Sequence, residues 1–295
     1  MTATAHPAPP HRPVLAGLGW MVAAQLCFAL MNVSARLAGQ GVPWPEVAGA
    51  RFLVGVGLAW GLARSRGVSL RITDKRSSWL RAIFGTISAV CTFYAITSSR
   101  INLGDAATLG ATAPIFVALF APSILGERSG RSVGTAVLVA FAGVVLVLEP
   151  SFRSALDVAL VATLGAVLYA FAMIYLRRLG AGESHEAVVM HFSLVALAVM
   201  AALAIPGWEP PTARDALWLV ATGLFGGLAQ LAMTRAYALD GATRIATVTY
   251  LGIVFTHLLA IPVFGERPGV TQVLGAVLVI GAGLLLVRSA RAEAR

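Results

Sequence analysis

Gly126-Glu127-Arg128-Ser129-Gly130 and Gly265-Glu266-Arg267-Pro268-Gly269 are one short hinge used twice. Each follows an apolar run that contains a proline, Pro122 or Pro262, and each leads into another apolar run, Thr135 to Val147 or Gly275 to Val287. Eight of the thirteen aligned positions in those later runs are identical, among them Ala142 and Gly143 against Ala282 and Gly283. Apolar runs resemble one another cheaply, so the charged hinge carries most of the weight. A period this long indicates a duplicated half-protein and not a solenoid of small repeats.

The rest of the 295-residue chain fits membrane duplication. Hydrophobic residues make up 58% and charged residues 12%, with a mean hydropathy of +0.82, far too apolar for a soluble domain of this length. Apolar runs of about 20 residues, the length that crosses a bilayer, alternate with short charged or Gly/Pro-rich loops. Period-two alternation is missing, which argues against a barrel. The pI near 10.7 does not imply nucleic acid, because the cations are spread over short loops and form no compact basic domain. Cys27 and Cys91 both fall inside apolar runs, so neither a disulfide framework nor a metal site is expected, and no cofactor motif occurs. The first run, Val14 to Ala35, is too long in its apolar core for a signal peptide and reads as a retained helix.

Ten spans are expected: 14–36, 45–63, 79–98, 104–122, 131–149, 155–176, 186–205, 214–238, 243–263 and 269–288. Residues 1–13 and 289–295 are tails, 14–150 the first five-helix half, and 151–288 the second. With the N-terminus in the cytoplasm, fifteen of the 22 cations fall in inner loops and tails, Arg81 among them, and five, including Arg36, fall outside. Arg51 and Arg235 lie within spans. That bias places both termini inside. Five spans is an odd number, so the second half enters the membrane from the opposite side, and the hinge faces the cytoplasm at Gly126 and the outside at Gly265. The expected fold is therefore all-α, with two inverted-topology five-helix repeats.

Polar side chains within the spans recur at helical spacing. The stripes are Gln25 and Asn32 in span one, Asp105, Thr108 and Thr112 in span four, Gln230, Thr234 and Tyr237 in span eight, and Thr243, Thr247, Tyr250 and His257 in span nine. Such stripes turn toward the protein interior, either as hydrogen-bonding glue between helices or as the lining of a wet cavity. Arg51 near mid-membrane needs a partner, for which Glu46, Asp105 and Glu149 lie on the same side; the other reading makes it a clamp for a substrate carboxylate. Arg235 either reaches the interface or pairs with Asp240, or serves as that clamp. His257 has a transport reading, donating to substrate or moving a proton, beside a packing one. Tyr94, Phe93, Tyr169 and Tyr237 are aromatic candidates for a pocket wall. Pro114 is placed to bend span four and free a carbonyl. No carboxylate occupies the central third of a span, which disfavours a proton-exchanging pump for cationic drugs. Walker, Rossmann, nucleophile-elbow and zincin motifs are all missing, so no enzyme is expected.

Arg51-Phe52-Leu53 opening span two, Ala-Pro in the middle of span four, and Gly126-Glu127 and Gly265-Glu266 after spans four and nine resemble the EamA group of the drug/metabolite transporter superfamily. The resemblance covers nearly the whole chain. It implies a secondary or facilitative transporter of small polar metabolites in the bacterial inner membrane, monomeric or homodimeric, with a lipid bilayer and a small molecule as its partners and no nucleic acid. The most direct reading is export of an amino acid or related metabolite by alternating access. Alternatives are vitamin, nucleoside or drug traffic, or a helical scaffold that transports nothing.

Overall fold

The computed structural model describes residues 14–125, 132–148, 155–179, 182–208, 210–239 and 248–293, and every regular element among them is helical. In chain order these are α1 (Val14–Ala38), α2 (Trp44–Arg66), α3 (Lys75–Thr97), α4 (Leu103–Gly110), α5 (Ala113–Leu125), α6 (Ser132–Leu148), α7 (Leu156–Leu179), α8 (His185–Ala204), α9 (Ala213–Leu239), α10 (Leu251–Phe264) and α11 (Val270–Glu293). Seven stretches are long and apolar enough to cross a bilayer. They run over α1, α2, α3, α4 with α5, α7, α8 and α9. Leu138–Val147, Leu251–Phe264 and Val270–Ala282 are shorter apolar helices at the other three expected positions. The expected span four is thus two helices, and the expected span three starts four residues earlier, at Lys75.

Local chemistry sets the helix ends. Asp74 caps α3 by accepting from the Ser77 N–H at 3.0 Å, a bond that holds its carboxyl below the usual carboxylate range. Ser184 caps α8 through the Ala187 N–H. α2 has Pro45 in its first turn, where a missing N–H costs nothing, and stops at Gly67, whose φ of 64° closes the left-handed cap. Gly265 ends α10 the same way at φ 65°, which explains the glycine that opens the second hinge.

Helix pairing has two-fold character. α1 packs on α9 as α3 packs on α7, and α2 packs on α9 as α3 packs on α8. α1 lies on α10 as α7 lies on α4 and α5. The remaining close pairs join equivalent helices of the two halves, α2 with α8, α6 with α11, and α4 with α10. Those equivalents run antiparallel. In α6 and α11, Gly143 faces Leu278 and Val279 while Gly275 faces Val147. In α2 and α8, Gly49 meets Met200, Gly55 meets Ser193, and Arg66 pairs with Glu186 at 2.9 Å. Halves related by an axis along the membrane normal would leave equivalent helices parallel, so the duplication is inverted.

Close approach relies on small residues, as expected where lipid gives helices no hydrophobic reason to associate. Gly143 and Gly275 put backbone against backbone, Gly165 receives Cys91, and Gly223 and Gly227 receive Val54 and Leu58 of α2. Large apolar side chains such as Leu53, Trp60, Leu138, Phe141 and Leu258 point outward, as a lipid-facing surface requires.

Candidate functional site

Two equivalent helix breaks lie at buried residues, Thr112 and Tyr250. α4 stops at Gly110 and α5 starts at Ala113, with the Ile115 N–H donating to the Thr112 carbonyl at 2.9 Å. In the second half the turn recurs at Tyr250, where the Ile253 N–H donates to the Tyr250 carbonyl at 3.1 Å. Pro114 sits in the first turn of α5 and leaves the Gly110 carbonyl without its usual donor. The matching position of the second half is Gly252, so a proline is not what makes the break. Gly252 instead leaves room for the Gln25 Oε1 of α1. Thr112 and Tyr250 are both buried. The Thr112 hydroxyl donates to the Leu109 carbonyl at 2.6 Å, whereas among the described residues the Tyr250 hydroxyl has no hydrogen-bond partner.

A second group surrounds two arginines. Arg51 of α2 is 8% exposed and Arg81 of α3 is 3% exposed. Each is seated by a glycine: a Cβ on Gly226 would collide with Arg51, and one on Gly85 would collide with Arg81. Each guanidinium lies over a phenylalanine, Arg51 over Phe52 at 4.5 Å and Arg81 over Phe192 at 4.1 Å. The two rings meet edge-on with centroids 5.3 Å apart. They stand 140 residues apart, the offset that also relates Gly143 to Gly283, so this contact lies near the pseudo-two-fold axis. Arg51 Nε donates to Met31 Sδ at 3.4 Å, and among the described residues Arg81 Nε and Nη1 have no acceptor. Tyr169 of α7 is close to both cations and directs its hydroxyl to Met233 Sδ at 3.6 Å. Among the described residues neither arginine has a carboxylate in ion-pair distance, so the pairing expected for Arg51 is not found with Glu46 or Asp105, and Glu149 lies outside those residues.

A third group is built by the second hinge. Glu266 accepts from the backbone N–H groups of Leu103 and Gly104, capping α4, and lies 3.8 Å from Arg36 Nη1. A carboxylate is favoured there by the orphan N–H groups and the helix dipole. Arg36 also donates to the Ile96 carbonyl. Asp105 accepts from Gln272 Nε2 at 2.6 Å, and Gln272 Oε1 accepts from the Gly269 N–H. His257 packs where Gly104 lacks a side chain and bonds the Ile253 carbonyl through Nδ1 at 3.0 Å.

The structure thus brings together Arg51 and Tyr169, with Gln230 buried on the α9 face that carries Gly226 and Met233, and it places Gln25 against the Tyr250 break. It does not bring in Arg235, which is exposed and lies over Trp20 at 4.7 Å. Tyr94 stands edge-on to Trp44, and Asn32 is half-buried. His257 belongs to the Glu266 group. Gly126, Glu127, Asp240, Thr243, Thr247 and the Tyr237 side chain lie outside the described residues. Arg81 was counted with the inner-side cations at the very start of the expected third span and is instead a buried residue in the second turn of α3, because that helix begins at Lys75. Its spacing to Gly85 and Ser88 was the available signal, since i, i+4, i+7 put small residues beneath its side chain.

Comparison with known proteins gives a consistent answer. The description "EamA-like transporter family" matches residues 15–149 and again 157–288. The pseudopaline exporter CntI of Pseudomonas aeruginosa is 34% identical over 274 residues, covering 91% of this chain and 94% of that protein. The riboflavin transporter of Vibrio cholerae is 25% identical over 276 residues, with 92% of each chain covered. A crystal structure aligns with 91% of this chain and 98% of its own at a TM-score of 0.66 and 23% identity, a likeness of fold.

Proposed function

We propose, because this chain belongs to the EamA-like transporter family, that it exports an amino acid or related metabolite across the bacterial inner membrane by alternating access. It is a multi-pass membrane transporter of small metabolites and not an enzyme. The finer reading is supported chiefly by the two equivalent helix breaks, Ala111–Thr112 and Tyr250. Interrupted helices at a repeat interface present unpaired backbone and side-chain groups at the depth where a polar solute must pass. Here the second break adjoins Gln25, and among the described residues the Tyr250 hydroxyl has no partner. The proposed orientation has both termini in the cytoplasm, so the Glu266 group faces outward and the Asp74 cap inward. Rocking of one half against the other about the α2–α8 and α6–α11 contacts would then expose the centre to each side in turn. The 34% identity to an exporter favours outward traffic.

Purified protein in sealed vesicles tests this. Efflux of a panel of radiolabelled amino acids is expected to exceed that from empty vesicles. Tyr250→Phe and Gln230→Ala are expected to slow efflux at least several-fold with folded yield unchanged. Folded wild-type protein that moves no member of the panel faster than empty vesicles defeats the reading.

A further inference from the structure

Arg51 and Arg81 are an electrostatic problem that the described protein does not solve for itself. Guanidinium stays protonated at any physiological pH, so both charges are permanent. They repel each other, and both are buried. Placing a cation away from water is costly unless it is paired and hydrogen-bonded, and the phenylalanine faces and one tyrosine hydroxyl replace only part of the lost hydration. Among the described residues Arg81 Nε and Nη1 have no acceptor, and no oxygen accepts from the terminal nitrogens of Arg51. Yet the site is built with care: Gly85 and Gly226 are the notches that let these two side chains lie where they do.

We infer that Arg51 and Arg81 form an anion subsite that receives a substrate carrying at least two carboxylate groups, with Tyr169 as a third polar contact. This rests on the transport reading above and narrows its substrate class. A guanidinium offers a planar fork of N–H donors that matches a carboxylate, and two forks on neighbouring helices select two such groups on one small molecule. A cationic solute is repelled, and a neutral one leaves both donor sets unmet. Arg51 and Arg81 come from the first half, while Phe192 and Tyr169, which wall the site, come from the second. A dianion held there touches both halves of the alternating-access machine, so occupancy and movement become linked.

The test is a thermal-shift titration of the full-length protein in detergent with succinate, L-glutamate and citrate, set beside L-leucine, L-glutamine and putrescine. The first three are expected to raise the Tm in a saturable way and the last three to leave it unchanged. Arg81→Met is expected to weaken succinate binding at least tenfold and to raise the ligand-free Tm, because it removes an unpaired buried charge. Arg81→Lys is expected to retain part of the binding. A purely structural arginine behaves oppositely, with Arg81→Met lowering the ligand-free Tm. That result overturns the subsite, as does an equal succinate shift in wild type and Arg81→Met, or a wild-type shift with leucine as large as with succinate. Vesicle flux on the same preparations separates the two ideas. Leucine efflux without any carboxylate-dependent shift sinks the subsite and leaves transport standing; a shift that depends on Arg81 without flux of any solute does the reverse.

Discussion

Two places among the described residues bury arginine, and they treat the charge in opposite ways. Arg36 has the Glu266 carboxylate nearby, donates to the Ile96 carbonyl and lies 5.8 Å from the centre of the Phe264 ring, with Nη2 its one buried atom lacking a partner. Arg51 has a thioether and one aromatic face, Arg81 another aromatic face, and Tyr169 lies near both, with no described carboxylate. The Glu266 group supplies a carboxylate and a carbonyl to its arginine, which is enough to hold α1, α4 and the end of α10 together. The Arg51–Arg81 group does not, and a site left electrostatically incomplete is where an incoming solute has something to do.

The contrast breaks most visibly at Glu266. Glu266→Ala strips the α4 N-terminus of its cap and leaves Arg36 buried without a carboxylate. Removing one partner of a buried pair costs about 3–5 kcal/mol. A fall in Tm and in folded yield, read by fluorescence-detected size exclusion, is the expected outcome. If Glu266→Ala proves no less stable than Arg81→Met, the division into a structural and a receptive arginine site collapses.

How much of this was legible beforehand depended on whether the signal was local. The duplicated Gly-Glu hinge and the odd span count were enough for the inversion, because parity is a counting property that no packing detail alters. The left-handed glycine at Gly265 was likewise written in the chain, as the hinge repeats it. Arg81 was hidden because a cation five or six residues into a helix and a cation in the preceding loop look alike until the boundary is known, and Asp74 with Ser77 moved that boundary outward. The break in the second half was hidden for a different reason. Pro114 announced a bend in the first half, but Gly252 at the matching place announces nothing, and the turn there accompanies the seating of Gln25 from α1. Pairing across sixty to more than a hundred residues, as for Arg36 with Ile96 or Asp105 with Gln272, is not a property of any window of sequence.

A smaller effect sharpens the same contrast at Gln272. Its side chain joins buried Asp105 to the Gly269 backbone, so Gln272→Ala leaves a buried carboxylate without that donor. The penalty for stranding one buried polar group is about 1–3 kcal/mol. Chemical denaturation in detergent is expected to show destabilisation below that of Glu266→Ala. Succinate binding at the Arg51–Arg81 site is expected to be unaffected, because the two groups share no residue. Equal loss of stability and binding would mean that the Glu266 group and the arginine pair form one network.

The smallest effect belongs to a third kind of arginine, one that faces water. Arg100 makes two hydrogen bonds of 2.7 Å to the Asp157 carboxylate, and that bidentate contact pushes the guanidinium up from its ordinary value. By geometry alone it is the best-formed ion pair described. It is also exposed on both sides, where hydration competes, and dissolved salt screens what remains. Arg100→Ala is therefore expected to shift the Tm by less than either substitution above, and raising the salt to about 1 M, where the screening length falls to ~3 Å, is expected to erase the difference. If the exposed pair mattered as much as the Glu266 contact, bond length would outrank burial in deciding what an arginine contributes. The long contact in the interior should outweigh the short one at the surface, because stranding Arg36 leaves a charge that water cannot reach and stranding Asp157 does not.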